Sequence, residues 1–441
     1  MKIAVIGGGF MGLVLAHRIS RTQANVKVFE HDSQPGGLST YNDYGDFTWD
    51  KFYHTITPTD TELIDFIEEL GLGEEMQWRR SLTGYYAKNK FYSISSSLEF
   101  LLFPVLGIFD KMRLGYTLFQ GSRINDWKNL EKIPVKDWLI SLGGKRTFEK
   151  FWSPLLNAKL GENKTKVSAV FIWTYIKRLF KARSSAAQKE HMAYVTGGYK
   201  TVFDKLEKLL EETGSSLVLN SAVTDISANP EGGMNLTYNG EVEHFDKVVF
   251  TAPLNVLEKV TSPALFEISK NGPPIEYLGV ICLILVTKRP LTPFYVLNIG
   301  DNDIPFTGVI GMSSLVDLEE TAGHYITYFP QYIGADHKYW SKPDDELRSI
   351  FLKGVKKLYP EFQETDVVSS HVHKAFKVQP LQVLNYSSIV PKIQTKHSDF
   401  YVLNTSQFVN ESVNNNSVVS HVDNFMTDFK EELKASEKVV V

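Results

Sequence analysis

The sequence predicts an α/β fold in which a parallel-sheet unit is interrupted by an inserted α+β unit, and three observations predict it. The first is the opening succession of strand, glycine turn, amphipathic helix, strand and acid over residues 1–30. The second is the late return of the same vocabulary, in the Gly-Gly-aromatic turn Gly197-Gly198-Tyr199 and in apolar strands ending at Pro253 and Asn404. The third is the different character of the intervening chain, helical around 98–180 and β-type around 275–329.

Lys2-Ile3-Ala4-Val5-Ile6 is a β-branched run, and Gly7, Gly9 and Gly12 follow at G-x-G-x-x-G spacing before a helix over Leu13–Ser20. The first glycine permits a tight turn, the second lets backbone approach a pyrophosphate, and the third lets helix and strand pack closely. The helix start offers free N–H groups and a positive dipole end to phosphates. A second strand, Val26 to Phe29, ends on Glu30, eighteen residues beyond Gly12, where an acid can accept hydrogen bonds from a ribose. These features together predict a site for an ADP moiety.

Six residues beyond Glu30 stand Gly36-Gly37-Leu38. With this extension the protein resembles the amine-oxidase and protoporphyrinogen-oxidase-like superfamily of FAD-dependent oxidoreductases. The resemblance implies a Rossmann-like FAD-binding domain of glutathione-reductase type, with an inserted, discontinuous α+β substrate domain. It places the first domain at 1–78, 191–264 and 373–441 and the second at 79–190 and 265–372. It implies FAD contacts at Gly7, Gly9, Phe10, Met11, Gly12, Glu30 and His31, then at Gly36, Gly37 and Leu38, and later at Val223, Pro253, Asn404, Glu411 and Asn416. Many members carry an arginine that reaches the FAD phosphates where this chain has Leu38. The turn's own N–H groups must then do more.

The 441 residues exceed one compact core and suggest two or three domains. Apolar content of 43% and charged content of 22% are those of a soluble globular protein. Lys plus Arg is 47 against 51 for Asp plus Glu, a net charge of −4 that implies no nucleic-acid partner. Cys282 is the single cysteine, so a disulfide framework and a Cys-based metal site are excluded, and no metal is expected. It lies in an apolar run and reads as a buried strand thiol. Glycines interrupt the N-terminal apolar run, no cleavage site follows, and a reducing cytoplasm fits best.

Taken in order, the aromatic segment Phe47–Thr55 precedes a helix from about Asp60 to Leu70, with Thr59 and Glu62 as a capping box and Gly71 as its stop. Tyr85-Tyr86 and Phe91-Tyr92 flank a hairpin turn. Leu98 to Phe109 is apolar but too short to span a bilayer. It reads either as the wall of a substrate cavity or, extended over 98–119, as a peripheral contact on the inner face of the membrane. Pro154-Leu155-Leu156-Asn157-Ala158-Lys159-Leu160-Gly161 resembles a signature of bacterial superfamily members encoded with envelope polysaccharide genes. Lys159 either snorkels to solvent or sits near the flavin. A helix over Val167–Phe180 leads to a polar loop, Lys181–Glu190. Asn239-Gly240 marks a two-residue hairpin. Runs at 275–287, 295–299, 306–310 and 325–329, with a helix over Asp344–Leu358, predict an antiparallel sheet with helices on one side. The final helix follows Asn414, which stands where the superfamily carries a glycine and can adopt the left-handed conformation that turn uses.

The chain contains no G-x-S-x-G, H-E-x-x-H, CxxC or Walker sequence, which argues against hydrolysis. His371 and His373 read as surface or core residues. The chemistry then belongs to the flavin, with a small-molecule or lipid-linked substrate placing a C–H (or C–N–H) bond for hydride transfer to N5. His54 and Lys159 are the candidate catalytic groups. The resemblance suggests an envelope-polysaccharide intermediate as substrate. Two alternatives stay open. Phe52-Tyr53-His54-Thr55 resembles the Phe-His-Thr segment of UDP-galactopyranose mutase, a non-redox flavoenzyme. Departures at Leu38, at Gly311-Met312 (often Glu-His in bacterial members) and at Asn414 suggest a flavin-binding protein with a degraded site.

Overall fold

The computed structural model describes residues 1–184, 191–267, 274–301 and 303–437. β1 (Lys2–Ile6) runs into the glycine turn and α1 (Phe10–Ser20), and β2 (Asn25–Phe29) returns parallel to β1. Residues of β1 are apolar on both faces because both are covered, as a central parallel strand requires. Only Arg18 of α1 reaches the surface, where it pairs with Glu69 at 2.6 Å and Asp423 at 2.7 Å.

The hairpin β3 (Tyr41–Asp43) and β4 (Thr48–Asp50) precedes α2 (Thr61–Glu69), which ends at Gly71 with φ +75°. The predicted Thr59–Glu62 capping box does not form. Asp60 occupies the cap position, and its carboxylate accepts instead from the Thr57 N–H at 2.7 Å and from Arg178. After β5 (Met76–Arg80), the predicted hairpin is β6 (Thr83–Ala87) and β7 (Lys90–Ser93), turned by Lys88 and Asn89 at φ 53° and 58°.

A helical lobe follows: α3 (Ser97–Leu102), α4 (Ile108–Arg123), α5 (Val135–Thr147), α6 (Ser153–Leu160) and α7 (Ala169–Ser184). Its core gathers Trp138, Leu139, Phe148, Trp152 and Phe171. The stretch 98–109 is not a cavity wall. Phe103 and Leu106 turn inward, but Leu98, Leu101, Leu102, Ile108 and Phe109 face outward. The predicted loop at Lys181 is helical through Ser184, and its remainder, 185–190, lies outside the described residues.

The chain returns through β8 (His191–Val195), which pairs with β5, then α8 (Tyr199–Glu212) and β9 (Ser216–Val218). The meander β10 (Val223–Ala228), β11 (Met234–Tyr238) and β12 (Glu241–Phe245) leads to β13 (Lys247–Phe250) and α9 (Leu254–Val260). Next come β14 (Tyr277–Thr287), β15 (Val296–Ile299), β16 (Gly308–Gly311), β17 (Tyr325–Ile333), α10 (Asp344–Leu358) and β18 (Val367–Pro380). β19 (Phe400–Val402) and α11 (Asn415–Glu437) close the chain.

Among the described residues these strands form a parallel five-stranded sheet in the order β19-β13-β1-β2-β9, an antiparallel β10-β11-β12 sheet, and a seven-stranded sheet β18-β14-β17-β16-β15-β6-β7. The largest sheet was expected to be antiparallel, but β15 and β6 pair in parallel, so it is mixed. It also extends beyond the sequence boundary at 372, because Tyr277 pairs with Pro380. Two small antiparallel sheets, β3-β4 and β5-β8, complete the strand pairing. No helix among the described residues is long and apolar enough to cross a membrane.

Candidate active site

The glycine turn is fixed by packing on one side and open on the other. Gly7 has φ +110°, and a Cβ on Gly12 would lie 1.9 Å from the Gly7 carbonyl oxygen, so both positions are closed to side chains. Gly9 differs: a Cβ there would meet nothing nearer than the Gly37 Cα at 3.9 Å. Gly9 caps α1, no side chain accepts from the cap, and no acid lies in the first turn. The N–H groups of the first turn, at Phe10, Met11 and Gly12, are therefore left for an anion. The side chains of Phe10 and Met11 are buried, Phe10 edge-on to Phe66 and Tyr199, so only their backbone can serve.

Glu30 is buried at the end of β2, where Oε2 accepts from the Gly8 N–H at 2.7 Å and Oε1 from the Asp32 N–H at 2.9 Å. Each oxygen keeps capacity for a further donor. His31 is exposed, with Nδ1 at 2.7 Å from Glu30 Oε1. Gly36 donates its N–H to the Gly8 carbonyl at 2.8 Å, which lays the Gly36-Gly37 turn, at φ +109° and +58°, against Gly9. Leu38 is 39% exposed and offers no polar side-chain group. Ser221 donates its N–H to the Glu30 carbonyl at 2.8 Å and brings the buried Val223 beside this strand end.

The other implied contacts split. Pro253 starts α9, and the Asn404 amide donates to the neighbouring Ala252 carbonyl at 2.7 Å while its oxygen accepts from the Ser406 N–H. Asn404 is thereby a strut joining the ends of β13 and β19. Asn416 likewise spends both side-chain groups on α2, accepting from the Leu63 N–H at 3.0 Å and donating to Glu62 at 2.8 Å. Glu411 is half-buried, and burial raises its carboxyl above the usual range. Asn414 does not adopt the left-handed conformation expected of it. Its side chain accepts from the Ser417 N–H at 2.8 Å and caps α11 instead.

Sequence reasoning missed Asn415. Its oxygen accepts from Ser39 at 3.2 Å, and its amide faces the Tyr199 hydroxyl.

Toward the inserted unit, His54 donates from Nδ1 to the Phe52 carbonyl at 2.8 Å, the tautomer that this partner selects, and leaves Nε2 as an acceptor. Its ring stands edge-on to Tyr199. The Tyr53 and Tyr332 hydroxyls lie 2.8 Å apart, and Thr55 lies 3.0 Å from the Tyr295 hydroxyl. Lys159, set by the end of α6 before Gly161 at φ +57°, holds Nζ 5.0 Å from the centre of the Tyr175 ring. Tyr53, His54, Lys159 and Tyr332 are deep in the protein, yet none is fully buried. The Tyr175 hydroxyl raises the Lys159 pKa despite burial, so its ammonium persists. Gly311-Met312 contributes no polar group, and the Met312 side chain is fully buried beside Cys282 and Tyr328. Cys282 is fully buried in β14, and burial raises its thiol.

Burial makes stability depend on pH in two opposite ways. His17, His54, His373 and His421 are each lowered by burial to about 4. The unfolded chain takes up these protons near 6.5, so their contribution is present above that pH and lost as pH falls toward 4. Asp50, buried beneath the Tyr199 N–H, is pushed up to about 8, so its contribution is lost as pH rises from 3.8 through 8. Each unit of separation corresponds to about 1.4 kcal/mol. Four histidines outweigh one carboxyl, and thermal melts of the flavin-free protein between pH 8 and 4 are expected to drop mainly below pH 6.5. A midpoint that holds or rises over that range would contradict their burial as neutral groups.

The family model for flavin-containing amine oxidoreductases matches residues 11–400. The chain belongs to this family. As a flavin-containing amine oxidoreductase it is an FAD-dependent, amine-oxidase-like enzyme. It is 25% identical to mitochondrial protoporphyrinogen oxidase of Nicotiana tabacum, over 89% of this chain and 87% of the relative. Its fold is similar to that of an oxidoreductase from Methanosarcina mazei, with TM-score 0.75 at 19% identity over 97% of this chain and all of the other. Reduced UDP-galactopyranose mutase is a further structural neighbour, with TM-score 0.71 at 16% identity over 97% and 95% of the two chains. The fold is thus the mixed α/β flavoenzyme fold of the amine oxidases and that mutase.

The residues present fit FAD in this family member. The open helix start at Gly9 and the two-sided acceptor Glu30 are the groups available to its phosphates and ribose. When bound, FAD supplies a hydride acceptor at its N5. The protein's part is to orient a substrate against that ring and to keep water away from it.

Proposed function

We propose that this oxidoreductase oxidises an oxygen-rich, anionic small molecule, a sugar-type or lipid-linked intermediate of envelope polysaccharide biosynthesis. One observation carries the reading. The Lys159 ammonium lies against Tyr175 and close to Tyr332, whose hydroxyl meets that of Tyr53, and no carboxylate among the described residues pairs with it. A cation beside such hydroxyls attracts phosphate, carboxylate or sugar oxygens and repels an alkylammonium. In this reading Lys159 holds the anionic part, and His54 Nε2 accepts a hydrogen bond from the O–H or N–H whose carbon loses hydride. The FAD site comprises the glycine turn, Glu30 and the start of α11.

Anaerobic titration of the purified holoenzyme tests the substrate class. Phosphorylated or lipid-linked sugars are expected to bleach the visible flavin absorbance, and primary amines are not. Bleaching by amines alone would sink the proposal. Lys159→Met is expected to keep its flavin and melting temperature while turnover falls by at least about a hundredfold, the scale of losing a charged hydrogen-bond partner. Unaltered turnover would remove Lys159 from the site.

The same cation and hydroxyls favour one second reading, a mutase-like isomerisation without net oxidation, to which the Phe52–Thr55 segment also points. Dithionite-reduced protein that rearranges a UDP-sugar with no change in flavin redox state would establish it over oxidation.

A further inference from the structure

The outward face of the helical lobe is apolar where solvent should select polar residues. Leu98, Leu101 and Leu102 of α3 are 65%, 54% and 71% exposed. On α4, Ile108, Phe109, Met112, Tyr116 and Phe119 are between 46% and 76% exposed. Their spacing along α4 follows the helical repeat, so they form one stripe. The opposite stripe, Asp110, Leu114, Thr117 and Gly121, is buried against the lobe, and a Cβ on Gly121 would lie 3.1 Å from Ile176 and 3.3 Å from Trp138. α4 is therefore covered on one face and uncovered on another that is equally apolar. Contiguous exposed apolar surface of this kind marks a contact site.

Charge says what covers it. The acids of α3 and α4 are both turned into the protein: Glu99 accepts from Ser93 and from the Ser96 N–H, and the 3%-exposed Asp110 is paired with Arg146 and Lys150. The cations stay outside. Arg113 and Arg123 are exposed on α4, Arg123 lies over the Phe119 ring at 4.4 Å, and Lys145 and Arg146 of the adjoining α5 are 79% and 68% exposed, with Lys145 3.8 Å from the 59%-exposed Glu149. Lys111 folds back to donate to the Leu101 carbonyl and bridges the two helices. An apolar stripe rimmed by cations matches the boundary of an anionic bilayer, with acyl chains beneath and phosphates at the rim. A second copy of this chain would set the same cations against each other.

We infer that α3 and α4 dock the enzyme onto an anionic lipid surface, with Leu98, Leu102, Ile108, Phe109 and Met112 entering the acyl boundary and Arg113, Arg123 and Arg146 meeting headgroup phosphates. A six-residue and a sixteen-residue helix lie in the interface and do not span it. The inference is independent of the substrate, since neither helix carries a group assigned to FAD or to catalysis.

Flotation of the full-length holoenzyme with vesicles tests it. Binding is expected to vesicles of phosphatidylglycerol and phosphatidylcholine, to be at least tenfold weaker with phosphatidylcholine alone, and to fall with salt. The double variant Phe109→Ser/Met112→Ser should lose binding at least tenfold with its flavin spectrum and melting temperature retained, and Arg113→Glu/Arg123→Glu should lose the phosphatidylglycerol preference. Failure of the wild-type enzyme to float with the anionic vesicles would overturn the inference, as would a double variant that floats equally well. A wild-type dimer in light scattering that this variant dissociates, without vesicle binding, would assign the face to self-association and overturn it too.

Discussion

Glu30→Ala is expected to give a colourless protein. In the free protein the carboxylate satisfies the N–H groups of Gly8 and Asp32, and two further acceptor sites are left for ribose hydroxyls. Charge-assisted hydrogen bonds contribute about 1.5–3 kcal/mol each, so their loss corresponds to roughly a hundredfold or more in FAD affinity. Alanine also leaves the Gly8 N–H without its acceptor under the turn, which adds about 1–3 kcal/mol of destabilisation. Flavin content after purification and titration with added FAD measure the first effect, and thermal melting measures the second. Wild-type flavin content in this variant would remove Glu30 from the cofactor site.

The second large effect separates two glycines that look equivalent in the motif. Gly12→Ala places a methyl 1.9 Å from the Gly7 carbonyl oxygen, a backbone atom that cannot move without displacing β1. The expected cost is more than about 4 kcal/mol, a large part of a domain's stability, and the variant should be insoluble or unfolded. Gly9→Ala adds its methyl at φ −68°, ordinary for alanine, with the nearest neighbour 3.9 Å away. Its flavin-free form should melt within about 1 kcal/mol of wild type, yet bind FAD far more weakly, because the methyl occupies the path along which phosphate approaches the helix start. Urea denaturation of the flavin-free proteins and FAD titration distinguish the cases. Two variants with the same stability loss would show that the turn is built for packing alone.

Local chemistry explains which features were legible. Gly7, Gly12 and Glu30 are read from spacing because the contacts they make are between adjoining elements. Asn239-Gly240 turns β11 into β12 at φ 50° and 82°, as that dipeptide predicts, and α10 has the bounds its amphipathic repeat gave. Long-range contacts were not legible. Tyr53 meets Tyr332 across 279 residues of sequence, and Thr55 meets Tyr295 across 240, so these hydroxyl pairs have no local signature. Periodicity also fails to tell an inward apolar stripe from an outward one, which is why 98–109 read either as a cavity wall or as a membrane contact. At the starts of α2 and α11 the sequence placed a helix end but not its chemistry: Thr59 and Glu62 form no capping box, because Asp60 takes the cap position and pairs with Arg178, and Asn414 caps α11 through the Ser417 amide in place of a left-handed turn.

The strand order β19-β13-β1-β2-β9 has a consequence for biosynthesis. Of these five strands the one made first is the middle of the sheet, with β2 available at once on one side and β13 on the other only after residue 250 has been made. At translation rates of about 5–20 residues per second, one edge of β1 waits on the order of ten seconds or more for its partner, and β13 waits again for β19. During that interval the nascent chain shows an unpaired apolar strand edge and lacks the α11 start. Premature termination before residue 400 would thus release chains that hold the full glycine turn and Glu30 but have an open sheet edge, substrates for chaperones and proteases.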